Sequence, residues 1–166
     1  MFIAISLPRS LVERVRVEAR RLGMSVEEYL AELLTQGLDP RDRAREYVKA
    51  AKDLVAQARE ELEGGDVRQA AEKLWGVVAL ALKAYALWRE GRRLVSHREL
   101  WEYKDRVVEE LGDWVNDAWN AGNAMHTCFY ECWCTRKSVE AALKRIEKLV
   151  EVITRRIPAE PSSRTQ

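Results

Sequence analysis

Long apolar runs are missing from this 166-residue chain. None reaches the ~18 residues that a membrane-spanning helix needs, so no membrane association is expected. The N-terminus, MFIAISLPRS, has no basic leader, only a short apolar run and no cleavage site, so it does not read as a secretory signal. The expected compartment is the cytoplasm. Cysteine is sparse, with three residues crowded between positions 128 and 134, and an odd, clustered set is not a secreted disulfide framework. Histidine occurs twice and proline four times, and there is neither a low-complexity segment nor an internal repeat. No sign of charge dominates either, since the net charge is +1. Lys and Arg against Asp and Glu number 5 and 6 in residues 1–40, 15 and 17 in residues 41–134, and 8 and 4 in residues 135–166, so only the C-terminal end is basic. This balance makes no strong electrostatic case for nucleic acid or a membrane surface, and nucleic acid is not the favoured partner.

What the chain does have is apolar and aromatic mass. Apolar residues make up 47% of it and six are Trp, enough for a core in which the indoles are expected to be largely buried. The length suits one domain, or one domain with a small appendage. Charged residues are 33% of the chain while Asn and Gln are scarce, which leans towards a thermophile composition.

The stretch from Asp66 to Arg89, DVRQAAEKLWGVVALALKAYALWR, organises the rest. Val67, Ala71, Leu74, Val78, Ala81, Tyr85 and Trp88 recur at steps of three and four, on one helical face. Val77, Leu80, Leu82, Ala84 and Leu87 spread the apolar surface almost all round, which predicts a central helix packed on most sides. Asp66 after Gly64-Gly65 is its N-cap, and Gly91 with Arg89, Arg92 and Arg93 marks its end.

Around this centre the chain reads as helices. Residues 2–7, FIAISL, read as a short strand closed by Pro8. A helix with Leu11, Val15 and Ala19 inward ends at Gly23. Ser25 then caps a second helix, with Glu28 completing a capping box. Asp39-Pro40 marks a module boundary. A helix over about 41–63 has Ala44, Tyr47, Val48, Ala51, Leu54, Val55, Ala58 and Leu62 at helical spacing, and the tight Gly64-Gly65 reversal predicts an antiparallel αα-hairpin. Ser96 and Glu99 form a second capping box for a helix to about 111, with Leu100, Trp101, Val107, Val108 and Leu111 inward. The next helix, 114–131, has Val115, Ala118, Gly122, Met125 and Phe129 as its seam. Thr135 caps the last, with Val139, Leu143, Ile146, Val150, Ile153 and Ile157 inward. Residues 158–166 read as a frayed tail.

The blocks QAAEKLWGVVALALKAYA, SHRELWEYKDRVVEELGD, NAMHTCFYE and VEAALKRIEKLVE, in that order, resemble the archaeal PaREP family over about residues 38–155. That family looks like a branch of the HEPN-type bundles, so the resemblance implies a compact antiparallel helical bundle of a kind that commonly dimerises. Residues 1–38 resemble the ribbon-helix-helix pattern of small DNA-binding regulators and antitoxins. That pattern pairs the strands of two chains and reads bases with the outward strand residues. With Ile3, Ile5 and Leu7 inward, the readers would be Phe2, Ala4 and Ser6, none of which matches a base edge well.

Many HEPN-type proteins cut RNA with an Arg four to six residues before a His, the Arg stabilising the scissile phosphate and the His acting as acid or base. His126 stands where that His belongs, but residues 119–122 are Trp, Asn, Ala and Gly. Asn120 and Asn123 are the only hydrogen-bonding groups in place of the Arg. Arg92 and His97 fit the spacing, yet lie in a connector and at a helix start. For His126 the expected role is that of a histidine hydrogen-bonded within the bundle, with Tyr130 one turn on as the partner. His126, Cys128, Cys132 and Cys134 form H-x-C-x3-C-x-C, whose ligand types suit zinc. A rigid helix would have to unwind near Trp133 to bring in Cys134, so no metal is expected and buried thiols are the preferred reading. A disulfide is the lesser option. The Trp-rich face and the basic last helix read as core and as a solvated surface stitched by i,i+4 pairs.

The expectation is therefore an all-α protein: a HEPN-like antiparallel bundle over 39–157, a strand-helix-helix appendage over 1–38, and a tail over 158–166. No catalytic set and no cofactor is expected. The expected role is a non-enzymatic interaction or regulatory module, homodimeric and of antitoxin type, with a protein partner. The alternatives are a HEPN-type RNA-cleaving or nucleotide-binding protein with a degenerate motif, and a DNA-binding regulator acting through residues 1–38.

Overall fold

A computed structural model describes residues 3–160. Their regular structure is all helical: α1 (Arg9–Arg21), α2 (Val26–Leu34), α3 (Pro40–Glu63), α4 (Val67–Glu90), α5 (His97–Leu111), α6 (Trp114–Glu131) and α7 (Arg136–Arg156). From Ala70 to Leu87 every residue of α4 except Glu72 is buried. A helix with no free side must be wrapped by the others, and α2, α3, α5, α6 and α7 all pack on it. Its start is fixed by the Asp66 carboxylate, which accepts from the Gln69 N–H at 3.0 Å. Its end is fixed by Gly91, which takes the left-handed conformation that a β-carbon disfavours.

The flanking helices follow their apolar seams. α3 buries Ala44, Tyr47, Val48, Ala51, Leu54, Ala58 and Leu62 and makes its most extensive contact with α4, as expected for a hairpin closed by two glycines. The Ser96–Glu99 capping box is complete, each side chain bonding the other's backbone. On α6, Gly122 meets Val78 so closely that a β-carbon would lie 2.8 Å from its Cγ2. α7 is capped by Thr135 and buries Val139, Ala142, Ile146, Leu149, Val150 and Ile153. Among the described residues no helix is long and apolar enough to cross a membrane.

The N-terminal strand does not form among the described residues. Residues 3–7 are neither helix nor strand, and Ile3, Ile5 and Leu7 are exposed rather than inward, at 83%, 78% and 50%. A strand needs a ladder partner for its backbone groups, and everything regular around this segment is helix. Ala4 and Ser6 are exposed too, while Phe2 lies outside the described residues, as does the tail beyond residue 160. Leu11 also stays exposed, so α1 buries only Ala19 fully.

Three further expectations are revised. Ser25 accepts from the Glu28 N–H, but the Glu28 carboxylate turns inward to Lys83, 2.9 Å away, instead of back to the cap. Trp101 and Trp133 are exposed, whereas Trp75 and Trp119 are fully buried. The cysteines are not three buried thiols: Cys128 and Cys134 are joined by a disulfide, and Cys132 is free and exposed. Cys132 takes a left-handed conformation at the C-cap of α6. That reversal folds Cys134 back towards the last turn of the helix, which a continued helix would not do.

Candidate functional site

The two histidines of the chain meet. His97 is the first residue of α5 and His126 lies in the last third of α6, and their rings stack at 6.1 Å. Each carries an aromatic partner one helical turn on, Trp101 beside His97 at 6.4 Å and Tyr130 beside His126 at 5.0 Å. Under them lie two buried indoles. Trp75 contacts His97 at 5.1 Å and His126 at 4.8 Å, and Trp119 contacts Trp75 at 5.8 Å and Trp101 at 5.3 Å. The absence of a side chain at Gly122 is what lets α6 come close enough to α4 for this packing. Trp75 Nε1 donates to the Gly23 carbonyl at 3.3 Å, which ties the α1–α2 turn to the same cluster.

Burial sets the electrostatics here. It pushes the His126 pKa down to about 4, and the neighbouring His97 adds to that effect. Burial lowers His97 as well, offset in part by its hydrogen bond to the Asn123 side chain. Both imidazoles are therefore neutral near pH 7. The Tyr130 ring meets His126 edge-on, a ring contact in place of the expected hydrogen bond. The indole N–H of Trp119 is buried without an acceptor.

The other residues singled out by sequence lie apart or act locally. Asn123 also donates to the Trp119 carbonyl at 3.1 Å, while Asn120 is exposed on α6. Arg92 sits over the Tyr103 ring at 5.7 Å. The structure thus brings together His97, His126 and Asn123, and among the described residues no guanidinium is paired with either imidazole. Of the H-x-C-x3-C-x-C set, Cys128 and Cys134 are in the disulfide. Among the described residues no group of three or more His, Cys, Asp and Glu is placed to hold a metal ion. On the basic side of α7, Arg136 binds Glu140 and the Leu62 carbonyl, Arg145 donates to the Ala141 carbonyl, and Lys148 lies over Trp114.

A second cluster carries more charge and was not anticipated. Lys83, 2% exposed in the middle of α4, contacts Glu28 at 2.9 Å and Glu32 at 2.7 Å, both buried on α2. Glu32 also holds Arg43 of α3 and Arg93 of the α4–α5 connector, each at 3.0 Å. Beside Glu28, Glu27 pairs with Lys73, ten residues before Lys83 on α4. Burial raises the Glu28 pKa, and Lys83 only partly offsets it. Burial works to raise Glu32 too, but Lys83 and Arg93 outweigh it and hold its carboxyl below the usual range. Burial opposes the Lys83 charge, yet the two carboxylates prevail and raise its pKa. The visible signal was a lysine flanked by apolar residues on every side of a helix, facing Glu residues four apart. This cluster fastens the N-terminal hairpin to the bundle through ion pairs, with both Glu28 carboxylate oxygens buried and held by the Lys83 charge rather than by a hydrogen bond.

Three clefts border these elements. Two lie along α3 and α7, of about 350 and 390 Å³, lined mainly by charged side chains such as Asp42, Arg45, Lys52 and Glu151. The third, of about 480 Å³, lies between α1 and the bundle and reaches Phe129 and Tyr130 at the end of α6.

Compared with known proteins, residues 46–150 match the model of the Archaeal PaREP1/PaREP8 family. No curated protein and no solved structure matches the chain.

Proposed function

From the premise that the chain belongs to the Archaeal PaREP1/PaREP8 family, we propose that it is a non-enzymatic interaction module, a homodimer joined through its N-terminal hairpin. The role is regulatory and of antitoxin type, with a protein partner held by the bundle. The observation that carries this reading is the segment 3–7. Its apolar residues alternate, Ile3, Ile5 and Leu7, as on one face of a strand, and they stand exposed beside the exposed Leu11. A second copy supplies what one copy lacks: a strand to pair with and an apolar face to cover. Burying these four side chains from each copy at about 1.5–3 kcal/mol apiece outweighs much of the roughly 4–15 kcal/mol cost of association. The Lys83 cluster fixes α2, so on pairing the ordering falls on the segment 3–7 itself. This is the ribbon-helix-helix arrangement, here without basic or amide side chains to read bases. We read the bundle over residues 39–157 as HEPN-like, its first long helical hairpin being α3–α4. Two neutral, stacked imidazoles, with no guanidinium paired to either among the described residues, speak against the RNA-cleaving alternative.

Two copies with different affinity tags, co-expressed, test this. They are expected to co-purify, and Ile3→Lys with Ile5→Lys in both copies is expected to abolish it while helical circular dichroism stays unchanged. Undiminished co-purification of that variant would remove the hairpin from the interface.

A further inference from the structure

The histidine pair continues into a longer rank of rings. Trp101, His97, His126, Tyr130 and Phe129 follow one another at centroid steps of 6.4, 6.1, 5.0 and 5.2 Å. The rank is built from i,i+4 pairs on two adjoining helices, with Trp75 and Trp119 buried beneath it. It is open on both flanks, since Trp101 and Tyr130 are exposed. Core packing accounts for the two indoles below, and it leaves the outer rings unexplained. Trp119 also keeps an indole N–H buried here without an acceptor.

Charge gathers at one end of the rank. Arg16 and Arg20 stand one turn apart on α1, and both wall the cleft of about 480 Å³ with Phe129 and Tyr130. Arg68 of α4 lies 4.4 Å over the Phe129 ring. Their neighbours Arg14 and Arg21 are paired with Glu18, whereas Arg16, Arg20 and Arg68 form no ion pair among the described residues, Arg68 Nε donating to the Phe129 carbonyl at 2.8 Å and Arg20 to the Tyr130 oxygen. The acidic groups facing them are Glu27, which Lys73 holds, and Glu72, whose charge feels both Arg68 and Arg16. Three guanidiniums thus outweigh one carboxylate, a local excess that the near-neutral total of the chain conceals. At the Trp101 end, Lys104 lies 5.9 Å from that ring.

We propose that this rank binds single-stranded nucleic acid, with unpaired bases lying on Trp101, His97, His126 and Tyr130 and backbone phosphates on Arg16, Arg20 and Arg68. Rings in file beside guanidiniums match a polymer that alternates planar bases with phosphates. A duplex keeps its base faces stacked inside and offers the rings nothing. A small planar ligand needs a concave site that hides most of its surface, and this one is open. Each copy carries the whole rank, and the cleft beside Arg16 and Arg20 shares Leu7 with the proposed dimer interface.

The test titrates the full chain with oligouridylate and oligothymidylate of about 12 nucleotides, a length suited to sites of this kind. A duplex of the same length and free uridine monophosphate run beside them, over a salt series. Both strands, or one of them, are expected to quench tryptophan fluorescence and to bind less tightly as salt rises. The better strand tells RNA from DNA. Duplex and mononucleotide are expected to bind at least about ten-fold more weakly. Trp101→Ala and Tyr130→Ala, both at exposed positions, should each weaken binding roughly ten-fold, and Arg16→Gln with Arg20→Gln should flatten the salt dependence. Trp101→Phe, which keeps a ring, should retain most of the affinity. No binding of either strand would overturn the proposal. So would equal affinity for duplex or mononucleotide, or binding that survives loss of both exposed rings.

Discussion

Lys83 shows how much one residue holds. Its ammonium is buried between Glu28 and Glu32; Glu32 keeps Arg43 and Arg93, but Glu28 has no other basic partner among the described residues. Lys83→Ala is expected to lower the unfolding free energy by about 3–5 kcal/mol, the usual cost of leaving buried charges unpaired, read as a drop in the urea midpoint. A loss under about 1 kcal/mol would mean that solvent reaches the carboxylates. His126 gives a pH signature. When folded it stays neutral down to about pH 4, whereas unfolded it takes a proton near its ordinary 6.5. The unfolded state then binds more protons, so stability from this group is present above pH 6.5 and is lost as pH falls towards 4. Allowing for its partial exposure, the loss is at most about 2 kcal/mol. Melting temperatures from pH 7 to 4.5 should decline less steeply in His126→Gln than in the parent chain. Parallel curves would show that His126 does not contribute to the acid sensitivity. Neither residue's role could be read from periodicity, which marks where a helix is buried and not which charges share that burial.

Among elements, the contact of α4 with α6 depends on Gly122. A methyl there would stand 2.8 Å from Val78 Cγ2 and 3.1 Å from its Cβ, on a β-branched side chain with little room to turn. Gly122→Ala gains about 1 kcal/mol of helix propensity but loses more to overpacking, for a net cost of about 1–2 kcal/mol. Val78→Ala in the same chain should return part of it, and simple additivity in that double-mutant cycle would show that the two residues do not meet. The long helices were legible because their apolar spacing is uninterrupted: α4 runs from Val67 to Glu90, close to its expected span of 66–89. Gly122 was legible as a seam position. The docking of α2 was not, since Glu28 and Glu32 have the pattern of a solvated face. The cysteine pairing was not legible either, because it depends on the left-handed turn at Cys132, which no helical spacing foretells. Reducing agent should lower the melting temperature modestly, since a loop of sequence separation 6 contributes about 2 kcal/mol. An unchanged melting temperature would mean that α6 and α7 are held without the bridge.

For the whole molecule, the bundle completes its own core while the N-terminal segment does not. α2, α3, α5, α6 and α7 together enclose α4, but Ile3 and Ile5 remain exposed among the described residues. The Asp39-Pro40 break was expected to part the two, and the strand expected over residues 2–7 does not form among the described residues. Light scattering on the size-separated full chain at micromolar concentration decides whether two copies pair. A mass near twice 19.2 kDa is expected, falling to the single-chain value in the variant with Ile3→Lys and Ile5→Lys. A mass of 19.2 kDa for the unaltered chain would contradict that pairing.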